Sequence, residues 1–162
     1  MIPRIETLPE KKLVGQRLRM SFAHDRTGEL WRSFMPRRKE IINPATADLL
    51  SLQVYDKPLA YAKFSPTTEF EKWALVEVTG FDSMPEGLET FTLPAGLYAV
   101  FLYKGASSEF TETFQFIFGT WLPSSEYVLD DRPHFEVLGE KYRNNDPDSE
   151  EEIWVPIRLK SK

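Results

Sequence analysis

A chain of 162 residues, 41% of them hydrophobic and 28% charged, has apolar matter for one packed domain and too much of it for a disordered segment. Its net charge of −5 works against general attraction to a phosphate backbone, so nucleic acid is not expected as a direct partner. The absence of cysteine excludes a disulfide framework, a thiolate metal site and a cysteine nucleophile, and the lack of a leader-like N-terminus or a long apolar run argues for a cytoplasmic protein with no membrane association.

In chain order, Leu8-Pro9 opens LPEKKLVGQRLRMSF, which reads as a strand. The run TGELWRSFMP has Leu30 and Phe34 on one apolar side, a spacing that Ile41 beyond it continues, which predicts a helix, capped by Asp25 or Thr27 and stopped near Pro36. Arg37, Arg38 and Lys39 follow where cations favour the negative end of a helix. LLSLQVYD (49–56) and KWALVEVTG (72–80) are rich in β-branched and aromatic residues and read as strands. The turn-rich GFDSMPEG, residues 80–87, then separates two halves.

The second half repeats the order. Leu93-Pro94 opens the strand LPAGLYAVFLYKG; FTETFQFIFGTWLP is a second helix with Phe110, Phe114, Ile117 and Trp121 on its apolar side and Ser107 or Ser108 as its cap. HFEVLGEKY (134–142) and EEIWVPIRL (151–159) are the closing strands, with the charged stretch 144–152 read as a solvated loop without chemistry. Two strand-helix-strand-strand units, about 1–80 and 88–160, predict one α+β domain, with both units in a common antiparallel sheet.

The residues that carry this repeat also resemble a known family. Leu93-Pro94-Ala95-Gly96, Tyr98-Ala99-Val100-Phe101, Gly105, Trp121-Leu122-Pro123, Ser125-Glu126-Tyr127, Pro133-x-Phe135-Glu136 and Ile153-x-Val155-Pro156-Ile157 follow in the order and spacing of the GyrI-like, or AraC effector-binding, domain. Gly28-Glu29-Leu30-Trp31 and Val76-Glu77-Val78 resemble family positions in the first half. The resemblance implies a SOUL-like duplicated fold whose two helices border a central cleft. It also implies a role as a sensor or sequestering domain for hydrophobic, often cationic, small molecules.

Glu136 leads the site candidates. Strand alternation sets it with Leu138 on one face and Phe135 with Val137 on the other, so both faces are partly apolar, and a carboxylate there needs a partner. That partner is either a ligand cation or, on the structural alternative, a backbone donor or an arginine such as Arg132 or Arg158. Trp121, Tyr98, Trp31 and Phe34 are the candidate aromatic walls; Tyr55 and Trp73 are candidates to close the cleft, and Glu77 is a second acid, each also compatible with core or rim. No H-E-x-x-H, G-x-S-x-G or P-loop occurs, and His24 and His134 lie far apart, so metal, cofactor and triad chemistry are not expected. Two further readings stand. Both are implied by the resemblance: one is hydrolysis of strained cyclopropane-type electrophiles with Glu136 as general base, the other a protein-interaction module such as a gyrase inhibitor. A regulator partner fits the resemblance, and an exposed edge strand would permit a homodimer.

Overall fold

The computed structural model describes residues 1–56, 65–106 and 109–161. Nine strands, β1 (Arg4–Leu8), β2 (Lys11–Met20), β3 (Leu49–Tyr55), β4 (Phe70–Val78), β5 (Glu89–Leu93), β6 (Gly96–Lys104), β7 (Tyr127–Leu129), β8 (His134–Leu138) and β9 (Glu150–Leu159), form one antiparallel sheet. Eight of them follow the order β1-β6-β9-β8-β3-β4-β2-β5, and β7 pairs with the far end of β9. The duplication is visible in that order. β2, β4 and β3 of the first unit are mirrored by β6, β9 and β8 of the second, and the units meet where β3 runs against β8.

The Leu-Pro dipeptides work differently from a simple strand start. Proline has no N–H for a ladder, so the chain is interrupted at Pro9 and Pro94, and a strand lies on each side of each interruption. β1 pairs with β6 from Arg4↔Val100 to Leu8↔Gly96, and β2 pairs with β5 from Lys11↔Leu93 to Gly15↔Glu89. The register is the same on both sides of the two prolines, so residues 4–20 and 89–104 form one long kinked pair. That pair ties the two ends of the strand order together and curls the sheet around an interior. Gly15 lies inside this bend, where a Cβ would meet the Ala74 carbonyl oxygen at 1.8 Å, so only glycine allows β2 and β4 to approach so closely.

The core divides in three. The interior holds Leu8, Leu13, Leu50, Leu52, Trp73, Leu75, Leu93, Tyr98, Val100, Phe135 and Trp154. The other face carries both helices. Helix α1 (Thr27–Phe34) buries Leu30 and Phe34 against Val14, Ala74, Val76 and Val78. Helix α2 (Thr111–Phe116) widens into a π-helical turn, Ile117–Trp121, closes at Leu122–Ser124, and buries Ile117 and Phe118 against Ala99, Phe101, Ile153, Val155 and Ile157.

Three expectations change. The first helix does not stop at Pro36: a 3-10 helix, Met35–Glu40, continues through it, because proline is tolerated in the opening turn of a helix, where its missing N–H has no partner to lose. The π turn adds a residue to the second helix, so adjacent Ile117 and Phe118 are both buried rather than Ile117 and Trp121. The charged stretch 144–152 is partly structural, since Ser149 is buried and β9 begins at Glu150. Of the first helix's two caps, Asp25 accepts the Thr27 N–H at 2.9 Å and its hydroxyl at 2.6 Å; Ser107 and Ser108 lie outside the described residues.

Candidate functional site

Between the two helix-bearing flanks lies the β3–β8 seam, and its helix-side face is polar where the flanks are apolar. Ser51 pairs with Glu136 and Gln53 with His134 across the seam, and Lys72 of β4 pairs with Gln53. On β9, Ile153 is opposite Glu136, so Glu151, two residues away, shares that face at the diagonal position. Side-chain alternation along each strand therefore collects Ser51, Gln53, Tyr55, Lys72, His134, Glu136 and Glu151 on one strip.

Rings border this strip. Tyr55 packs against Phe70 at 5.6 Å and edge-on to His134 at 5.3 Å between centroids; Phe118 of the π turn lies 6.0 Å from His134. From Phe118 the series continues through Phe114 at 4.6 Å and Phe110 to Tyr103 of β6, and at the other end Phe70 meets Phe22. A hollow of about 90 Å³ opens at one end of the strip, lined by Val54, Tyr55, Asp130, Asp131, Arg132, Pro133 and His134. Glu136 is not among its lining residues, so this hollow lies at the end of the strip and not against the carboxylate.

Electrostatically the strip is strained. Glu136 is only half-buried as a residue, yet its Oε2 is sealed from solvent and has no hydrogen-bond partner. Burial raises its pKa, while the Lys72 ammonium and a hydrogen bond with Gln53 pull it down. Glu151 is pushed up to about 7 by burial and by the negative charge of Glu136, with Lys72 acting in the opposite sense. Tyr55 is raised by burial and by Glu136, and Tyr142 by burial, Glu151 and Glu136. His134 is brought down to about 3 by burial and the Arg132 charge, so its imidazole is neutral at ordinary pH.

The arginines that were the structural alternative for Glu136 are engaged elsewhere. Arg132 gives Nε to Asp130 at 2.7 Å and Nη2 to the carbonyls of Leu97 and Ile157, and its guanidinium lies 4.6 Å from the centre of the Tyr98 ring. Gly96 permits this stacking, because a Cβ there would stand 2.3 Å from Arg132 Nη1. The arginine thereby fixes the loop that leads into β8. Arg158 also faces Asp130, at 3.9 Å.

The other sequence candidates disperse. Tyr98 and Trp73 belong to the interior on the opposite face from Glu136; the Tyr98 hydroxyl donates to the Pro133 carbonyl at 3.4 Å, and Trp73 Nε1 donates to Glu71 at 2.7 Å. Glu77 alternates with Trp73 onto that same face and pairs with Lys11 at 3.2 Å. Trp121 packs edge-on to Phe101 at 5.2 Å and stacks on Tyr127 at 6.3 Å, away from the seam. Phe34 is fully buried under α1, and half-buried Trp31 packs beside it at 6.1 Å. Of the ring candidates, Tyr55 is the one in ring contact with the strip beside Glu136. Sequence reasoning missed Lys72, Gln53, Phe118, Phe70 and Glu151. The available signal was the repeat itself: Ser51 and Glu136 are separated by the same spacing as Leu8 and Leu93, which marks them as equivalent positions and points to their neighbours.

The chain belongs to the GyrI-like small molecule binding domain family, which it matches over residues 1–158. It is 31% identical over 160 residues to the transcriptional regulator BrlR of Pseudomonas aeruginosa, covering 97% of this chain and 56% of BrlR, so it spans little more than half that relative's length. Two solved structures share the fold at 15% identity. One is the EcmrR C-terminal domain, with a TM-score of 0.71 over 99% of this chain and 100% of that one. The other is SAV2435, solved with tetraphenylphosphonium bound, with a TM-score of 0.66 over 98% and 94%. Among the described residues, no helix is long and apolar enough to cross a membrane.

Proposed function

We propose that the helix-side face of the β3–β8 seam takes up a hydrophobic organic cation, with the carboxylate of Glu136 as its counter-charge and the surrounding rings as its walls. The observation that carries this reading is the sealed, unpartnered Oε2 of Glu136 amid aromatic side chains. An isolated buried carboxylate is costly; a desolvated cation supplies the missing partner, and each ring face turned toward it adds roughly 0.5–2 kcal/mol. Similarity to SAV2435, solved with a phosphonium of this class, supports the choice of ligand.

A drug-sized molecule needs about 300–1,000 Å³, more than the hollow at Tyr55 and His134 provides. The ligand therefore enters by pushing rings aside. The π turn carrying Phe118 is the suitable element to give way, since such turns interrupt a helix most often at functional sites.

Calorimetric titration with tetraphenylphosphonium tests the reading. The protein is expected to bind it, and Glu136→Gln, which keeps the shape and removes the charge, is expected to weaken binding at least about tenfold. Equal affinity in the variant would remove the counter-charge from the account.

A further inference from the structure

Glu151 was absent from the sequence candidates, and its placement gives the site a second acid. It lies diagonal to Glu136 across the β8–β9 pair, opposite Tyr103 of β6, and on the face that carries both helices. Diagonal neighbours on an antiparallel pair are about 7–8 Å apart at Cα, within reach of two glutamate side chains. The charges facing the two acids come from every strand around them. Lys72 of β4 acts on both; Tyr142, after β8, feels both; Tyr55 of β3 feels Glu136 and Tyr103 of β6 feels Glu151. Gln53 hydrogen-bonds Glu136, and His134, neutral, contributes no charge. Among the described residues, one ammonium thus stands against two carboxylates.

We infer that Glu136 and Glu151 share one proton across the β8–β9 pair, and that an incoming organic cation displaces it, so that ligand uptake is coupled to proton release. This rests on the cation-binding reading above and adds to it a second specificity-determining residue. The exchange balances: the carboxyl O–H bond breaks, the proton passes to solvent, and the cation takes its place beside two carboxylates and one ammonium. Carboxylates at diagonal positions of a partly dry strip disfavour each other's ionisation, so the pair titrates as a unit. Burial first, and then the negative charge of Glu136, hold Glu151 up at about 7, in the same sense as such coupling.

Two measurements together decide it. In the free protein, carbon-13 NMR of the glutamate carboxyls is expected to show Glu151 titrating near neutral pH, and Glu136→Gln is expected to lower that midpoint toward the ordinary glutamate value. With tetraphenylphosphonium as the probe, calorimetry in buffers of different ionisation enthalpy is expected to report release of up to one proton. Below the pair's midpoint affinity should rise with increasing pH, by up to about tenfold per unit, and in Glu151→Gln that slope should be lost. An ordinary Glu151 titration overturns the shared proton whatever the binding shows, and a slope surviving in Glu151→Gln overturns the exchange. A coupled titration in a protein that binds no lipophilic cation at any pH overturns the ligand reading and establishes the shared proton alone.

Discussion

Across the seam, Ser51 of the first unit stands directly opposite Glu136 of the second. One strand farther out, Lys72 pairs with Gln53, and extending the β8–β9 register by one step puts Glu151 opposite Leu138, the equivalent of Gln53. Lys72 and Glu151 are therefore symmetry mates, as are Ser51 and Glu136. The backbone is duplicated and the charges are not: one half presents a hydroxyl and an ammonium, the other two carboxylates. The helices differ in the same way. Counting back from the Pro36 and Pro123 turns, Trp31 corresponds to Phe118 and Phe34 to Trp121, yet Phe34 is fully buried while Trp121 is only partly covered. The comparison teaches that one backbone plan carries unequal charge: the two acids of the strip come from the second unit and its ammonium from the first, and they meet where the units touch.

The sharpest way to break that comparison is to delete the equivalent helix rings. Phe34→Ala should cost about 3–5 kcal/mol in urea unfolding, and Trp121→Ala clearly less, since its ring keeps solvent contact. Equal losses would mean that both helices are anchored alike.

A smaller effect comes from the acids. Glu151 has a folded-state pKa above that of an unfolded glutamate, so its charging disfavours the fold; its contribution is intact below about pH 4.5 and is lost as pH rises through about 7. Glu151→Gln should therefore gain stability over the parent by up to roughly 3 kcal/mol between pH 5 and 8, read from unfolding curves at each pH. No such gain is expected at the mate position in Lys72→Gln.

Smaller again, Ser51→Ala should change tetraphenylphosphonium affinity less than about twofold, against the tenfold or greater loss in Glu136→Gln. A comparable loss in both would make the seam symmetric after all. Lys72→Gln, in contrast, should tighten binding about threefold at a pH above the midpoint of the acid pair, by removing a like charge in a partly hydrated site.

How much of this was legible in the residues depends on the range of the interaction. The Leu-Pro repeats, the apolar helix sides and the strand alternation are local, and they yielded the duplicated units and the α+β class. Glu136 could be singled out because it stands between Phe135 and Val137 in a strand that is partly apolar on both faces. Alternation also tells which residues of one strand share a face, but not which face the helices will cover, so Tyr98 and Trp73 were grouped with Glu136 although they point into the interior. The pairing of 4–20 with 89–104 was hidden because proline signals a break and says nothing of the partner on either side. Lys72 and Glu151 acquire their meaning only from register across three strands, and the π turn that brings Phe118 to His134 leaves no mark in a 3.6-residue pattern.

The most direct test of the central claim is a crystal structure of the protein soaked or grown with tetraphenylphosphonium. The account predicts the phosphonium on the helix-side face of the seam, against the Glu136 carboxylate and between the Tyr55 and Phe118 rings. A cation bound on the interior side with Tyr98, or a fully occupied ligand elsewhere with the Glu136 carboxylate still unpaired, would contradict it.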